Sequence, residues 1–303
     1  MRDSNKIGAH LALLGTQLFF AINYTSIKYL INHQLFKPFG LNLVRVIVAA
    51  TLFSVIRFWR RKVTTKIEQE DLWRFFLCAL TGIAINQLLF VKGLSLTYSM
   101  HASFLMLTTP IMITLIAAWW LKERLGIGRL IGLSLGIIGS VLLINSGKQQ
   151  AEVSDPFWGD ILVAINAVSY SLYFVLVKPL MKKYDALSVL QIIFTLGFFL
   201  MLPFCWSEFS VIAWEKMEVF GWLNLSLVTI GGTFFAYLLN IYGLKHLGAS
   251  AAGGYIYIQP VMTVILAAIF LHEHLDKERI MAAFLIFLGV YLTIKQNKQK
   301  SIK

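Results

Sequence analysis

Gly93–Leu125 reads GLSLTYSMHASFLMLTTPIMITLIAAWWLKERL, and Gly243–Leu275 reads GLKHLGASAAGGYIYIQPVMTVILAAIFLHEHL. Laid over each other with a shift of 150 residues and no gap, the two stretches agree at Gly93/Gly243, Ala102/Ala252, Pro110/Pro260, Met112/Met262, Ala117/Ala267, Leu121/Leu271, Glu123/Glu273 and Leu125/Leu275. The same shift extends forward to Arg129/Arg279 and Gly139/Gly289, and back to Lys28/Lys178. A mid-segment proline and a terminal glutamate recurring in register make this one unit used twice.

The composition decides the solvent. Of 303 residues, 58% are hydrophobic and only 14% charged, with a mean hydropathy of +0.72. So little polar material cannot cover that much apolar surface in water. The apolar residues fall in blocks of about 20, the length that crosses a bilayer core as a helix. Ten spans are expected: 8–30, 38–58, 72–92, 99–121, 127–145, 157–177, 186–206, 219–242, 249–271 and 280–294. The fold class is an all-α integral membrane protein, ten transmembrane helices arranged as two inverted five-helix repeats around a central cavity. The units are 1–147 and 156–303, joined by a linker at 148–155. An odd number of crossings per unit turns the second copy upside down, the inverted repeat of many secondary transporters.

With the N-terminus inside, nineteen Lys and Arg fall on inner segments and seven on outer ones, leaving Arg45 within a span. The excess places both termini in the cytoplasm. The net charge of +12 is thus a topology signal, and a nucleic-acid partner is not expected. The first apolar block is too long for a cleaved signal peptide. Cys78 and Cys205 read as core residues.

No carboxylate is expected in mid-span. Asp160 stands near the start of the sixth span, and Glu123 and Glu273 close the fourth and ninth, where they would tie helix ends to basic neighbours. That argues against a carboxylate-driven pump, although His101 could titrate. Phosphate-loop, HExxH and GxSxG signatures are missing from the sequence, and no enzyme is expected. His272 and His274 flank Glu273 but diverge on a helix, so no metal or other cofactor is expected.

Pro110 and Pro260 each remove a helical hydrogen bond and crowd the carbonyl four residues back, at Met106 and Ile256. The bland reading is a packing kink; recurrence favours paired broken helices around a midplane site. Candidate polar lining comes from Asn23, Asn86, Gln87, His101, Thr108, Asn166, Tyr170, Tyr173, Tyr237, Asn240, Tyr257 and Gln259. Each could equally be interhelical glue, since buried amides need partners. Arg45 is read first as structural. Lys28 and Lys178 are read as interfacial anchors. Gly132, Gly136 and Gly139 give the fifth span a small-residue face, suited to the tenth span or to a second copy of the chain.

Pro110 leading into LKERL, Pro260 leading into LHEHL, the Arg45-bearing second span and the run NQLLFVKGLSLTYSMHASFL from Asn86 together resemble the drug/metabolite transporter superfamily, EamA-like branch. The resemblance spans nearly the whole chain. It implies an inner-membrane carrier of small metabolites, such as amino acids or related amphipathic compounds, often exported. The alternative is a non-transporting membrane subunit or lipid-flipping partner. Expected partners are a small-molecule substrate and the lipid bilayer, with a homo-oligomer left open.

Overall fold

The computed structural model describes residues 2–60, 67–109, 112, 115–116, 127–145, 153–256, 258–272 and 276–300. Among them there are helices and no strands. They are α1 (Arg2–Asn32), α2 (Pro38–Arg60), α3 (Gln69–Leu96), α4 (Ser99–Met106), α5 (Ile127–Asn145), α6 (Pro156–Lys183), α7 (Ala186–Phe209), α8 (residues 219–255), α9 (Ile258–Phe270) and α10 (Lys277–Lys300). Stretches of six of these, in α1, α2, α3, α6, α7 and α8, are long and apolar enough to cross a membrane. Large apolar side chains point outward from them, among them Phe58, Trp59, Phe199, Phe204 and Val219. Such a surface belongs in lipid. Trp73, Trp158, Trp206 and Trp222 are exposed near helix ends, where an aromatic belt sits. Cys78 and Cys205 are buried in the core, as expected.

Helix packing follows the 150-residue shift. α3 packs along α6 as α1 packs along α8, α4 on α6 as α1 on α9, and α2 on α7, α5 on α10 and α4 on α9 complete the set. Single residues repeat the pattern. A Cβ on Gly82 would lie 2.3 Å from the Tyr173 ring, and one on Gly232 would lie 2.5 Å from Asn23 Oδ1. A Cβ on Gly93 would meet Val163, and one on Gly243 would meet Leu13. In each pair both members are displaced by the same shift. The close contacts therefore occur twice, with the halves exchanged.

α3 and α8 share a second device that the sequence did not announce. Each contains π-helical turns, Leu80–Ile85 in α3 and Leu227–Phe235 in α8, ending at equivalent positions. A π turn widens the helix and leaves backbone carbonyls without their usual donors. Side chains of neighbouring helices supply them: Ser169 Oγ donates to the Thr81 carbonyl at 2.7 Å and Asn166 Nδ2 to the Asn86 carbonyl at 2.7 Å. Asn42 Nδ2 reaches the Gln87 carbonyl at 2.9 Å.

Helix breaks fall where the prolines place them. α4 ends at Met106, and the chain tightens there: the amides of Leu107 and Thr108 bond back to the carbonyls of Phe104 and Leu105. Helix α8 ends at Tyr255, with Ile256 as its cap. Pro260 is buried in the first turn of α9. Pro110, Glu123, Glu273 and Tyr257 lie outside the described residues.

Two expectations need correction. The connection placed between residues 242 and 249 is helical, and α8 runs on to Tyr255. Its segment GASAAGG holds small residues but no proline, so the break waits for the clash that Pro260 imposes four residues upstream. Lys28 is not an exposed anchor: it is 4% exposed within α1, whereas Lys178 is exposed. The glycine face of α5 does meet α10, where a Cβ on Gly289 would stand 2.4 Å from the Gly132 carbonyl oxygen.

Candidate functional site

Where α1, α2, α3, α6, α8 and α9 converge, the structure gathers most of the sequence's polar candidates. The Tyr24 hydroxyl of α1 accepts a hydrogen bond from Gln259 Nε2 of α9 at 3.2 Å. Tyr170 and Tyr173 of α6 stack at 5.9 Å, and Tyr170 stands in the electrostatic reach of Tyr24 and Tyr237 with Asn240 at its hydroxyl. Tyr237 of α8 has Gln87 and Arg45 beside it. Four tyrosines, three amides and one guanidinium, from six helices, thus share one buried region.

Arg45 does not snorkel. It is 3% exposed, its Nε donates to Thr233 Oγ1 at 3.1 Å, and an Nη contacts Asn42 Oδ1 at 3.4 Å. It ties α2 to the π segment of α8 and lays its charge beside Tyr237. Asn86 and Asn166 form a second pair across α3 and α6. Asn23 presses on Gly232. The side-chain oxygens of Gln17, Asn23, Gln87 and Asn166 are buried with no donor among the described residues. An unmet buried acceptor is costly, so these four oxygens call for donors from water or a ligand.

His101 and Thr108 stand apart from this cluster. Thr108 bonds its own α4 at the Leu105 carbonyl. His101 belongs to a group that sequence reasoning missed: its Nδ1 lies 2.8 Å from Asp160 Oδ2, and Thr97 Oγ1 donates to Asp160 Oδ1 at 2.5 Å. All three residues are 0% exposed. The expectation that no carboxylate is buried within the helices is thereby overturned. Asp160 follows Gly159, whose own side-chain position would lie 2.7 Å from the Thr97 amide. That close approach carries the carboxylate into the protein instead of the interface. A hint was present in the sequence: a glycine–aspartate step in the first turns of a span, paired with a histidine in another.

A cavity of about 730 Å³ opens at the far end of the molecule, lined by Ala12 of α1, Asp185 and Leu187 at the start of α7, and Leu238, Tyr242 and His246 of α8. Leu238 and Leu239 on its wall are the sequence neighbours of Tyr237 and Asn240. It opens at the end of the molecule that carries the N-terminus. Beside that end, α3 and α6 are bound together. Lys183 Nζ donates to Asp71 Oδ2 at 2.8 Å, the Tyr184 hydroxyl to the same oxygen at 2.7 Å, and Lys183 also pairs with Glu68. At the other end, Glu208 of α7 caps α2 by accepting from the amides of Phe39 at 2.7 Å and Gly40 at 3.0 Å.

A helical membrane protein with repeated halves and a buried polar centre has the build of a carrier. The profile of the EamA-like transporter family matches the chain twice, over residues 7–145 and 157–295. The chain belongs to that family.

Its relatives agree with the assignment. An uncharacterised transporter of Archaeoglobus fulgidus is 28% identical over 96% of this chain and 98% of its own. The uncharacterised transporter YetK of Bacillus subtilis is 22% identical over 84% of this chain and 78% of its own. A solved crystal structure, 20% identical, superposes with a TM-score of 0.60 over 97% of this chain and 98% of the other, a likeness of fold. This EamA-like protein is accordingly a membrane transporter and not an enzyme.

Proposed function

We propose that this transporter exports small metabolites, amino acids or related amphipathic compounds, by alternating access across an inner membrane with both termini in the cytoplasm. The observation that carries the reading is the exchange of contacts between halves around one polar centre. Helices α1 and α8, and α6 and α3, make equivalent contacts, the relation expected of an inverted repeat of five spans each. Under the charge bias the cavity end, with Lys182, Lys183 and the N-terminus, faces the cytoplasm.

Substrate contacts are assigned to Gln87, Tyr170, Tyr173, Tyr237, Asn240 and Gln259, with Asn23, Asn86 and Asn166 adjoining. Tyrosine faces suit an apolar moiety, and hydroxyls and amide oxygens suit an ammonium or hydroxyl group. Arg45 supplies positive charge beside Tyr237, suited to a carboxylate. Pro110 and Pro260 place helix breaks where backbone carbonyls become available.

The test is flux in proteoliposomes holding the purified protein. A panel of labelled amino acids, with sugars and nucleosides for comparison, is offered with and without a pH gradient. Saturable flux that Asn240→Ala abolishes in a folded protein supports the reading. Absence of flux throughout the panel, from protein that retains its melting temperature, would sink it.

A further inference from the structure

The buried Thr97–His101–Asp160 group serves no part of the polar centre, and its placement assigns it a separate task. Asp160 lies in the first turns of α6, roughly 35 Å of helix from Lys183 at its other end, two residues before Asp185 on the cavity wall. It therefore stands at the end opposite the cavity. His101 is carried by α4, a single eight-residue helix whose residues Ser99–Leu105 are all buried. That helix packs on α6 and α9, and the turn at Leu107 and Thr108 interrupts the chain behind it. A short helix with a break behind it, tied to α6 by a polar clamp on its front turn, is the form of a gate.

We propose that this group is a proton-binding site whose occupancy latches α4 onto α6 at that end. The proposal rests on the carrier reading above and adds the coupling ion and its place. Both Asp160 oxygens are taken, one by Thr97 and one by His101, while His101 Nε2 is buried with no partner among the described residues. With the imidazole protonated at both nitrogens, the pair is an imidazolium and a carboxylate, neutral as a unit. Loss of the proton from Nε2 leaves Nδ1–H on Asp160 and one net negative charge in a dry site. A buried charge without a counterion is strongly disfavoured, and water is the ready remedy. Deprotonation thus favours parting α4 from α6, which admits water to Asp160. Reprotonation from that water closes the gate again.

The second half has no such latch. The positions equivalent to Thr97, His101 and Asp160 are Leu247, Ala251 and His10. His10 instead contacts the Tyr255 hydroxyl at 2.6 Å, at the end where the cavity lies. The two ends are therefore not chemically equal, and the buried acid–imidazole pair belongs to the end opposite the cavity. Titratable and charged residues on the elements against α4 include Tyr98 before it, Lys92 of α3, Tyr24, Lys28 and Tyr29 of α1, Asp155 at the cap of α6, Arg129 of α5, and Lys277, Glu278, Arg279 and Tyr291 of α10. Helix α9 carries none. Tyr98 sets its ring 5.1 Å from that of His101, and the Asp155 carboxylate is engaged by the Trp158 amide.

The experiment needs no substrate. The full chain with Cys78→Ala and Cys205→Ala is placed in lipid nanodiscs, and a hydrophilic maleimide reports on Ser103→Cys in α4. The labelling rate, taken at each pH relative to that of the same cysteine in the denatured protein so that the growth of thiolate with pH cancels, is expected to rise about tenfold between about pH 5.5 and about pH 8.5, the range in which a histidine changes charge. Asp160→Asn should hold the rate low at every pH, and His101→Asn, which strands the carboxylate, should hold it high. Thr97→Val keeps the pair and should shift the midpoint only, which preserves a test if Asp160→Asn does not fold. A wild-type rate independent of pH, or a pH response that survives Asp160→Asn, overturns the latch. A second reporter, Ala12→Cys on the cavity wall, separates the two readings. If its labelling falls as that of Ser103→Cys rises, both stand. If it stays high while Ser103→Cys responds, the latch stands and alternating access does not.

Discussion

Replacing Gly289 by alanine tests the packing of α5 on α10 with a single methyl group. The added Cβ would stand 2.4 Å from the Gly132 carbonyl oxygen, 2.6 Å from the Gly136 amide nitrogen and 3.1 Å from the Gly136 Cα. Ordinary contact begins near 3.4 Å, so α10 must withdraw by about 1 Å over that turn. All three obstacles are backbone, and no rotamer change can relieve them. Overpacking of this kind costs about 1–3 kcal/mol, against about 0.5–1 kcal/mol that alanine returns as a better helix former than glycine. The expected net loss is about 1–2 kcal/mol, seen as a fall of a few degrees in the apparent melting temperature of the detergent-solubilised protein. Gly8→Ala is the control. Its Cβ would find its nearest neighbour, the Tyr242 hydroxyl, at an ordinary 3.6 Å, and stability should hold or rise. Because α5 and α10 stand outside the polar centre, flux per folded molecule should not change. An unaltered or raised melting temperature for Gly289→Ala would refute the close packing of these helices.

Other substitutions probe single interactions. Asn166→Ala removes the donor to the Asn86 carbonyl and should cost about 1–3 kcal/mol, whereas Asn86→Ala keeps that backbone acceptor and should cost less; equal losses in thermal unfolding would contradict the assignment. Glu208→Ala strips the amides of Phe39 and Gly40 of their acceptor and should lower stability by about 0.5–2 kcal/mol, with Glu208→Gln partly restoring it. Arg45→Lys cannot reproduce the fork that meets both Thr233 and Asn42, and should lower the melting temperature without aggregation; a protein as stable as the parent would deny Arg45 that tie.

Much of the architecture was legible in the chain. Block length and composition dictated helices in a bilayer, because lipid leaves the backbone no other partner than itself. The shift of 150 residues named the halves, and the prolines named the carbonyls at which α4 and α8 end. Glycine spacing on α5 pointed to α10. These are properties of local chemistry and of one face of one helix, and both survive without knowing the neighbours.

Tertiary structure decided the partners that are distant in sequence. The π turns in α3 and α8 left no sequence signal; in α3 the carbonyls they free, and those just beyond, take donors from Ser169, Asn166 and Asn42 on other helices. Asp160, near the end of its span, reads as an interfacial residue. It becomes a buried one because Gly159 brings Thr97 within contact and places His101, fifty-nine positions away, on the same carboxylate. Lys28 reads as an anchor and is buried for the same reason: exposure belongs to the surrounding helices, not to the residue. A sequence states which groups need partners in lipid, and the packed helices decide which groups meet that need.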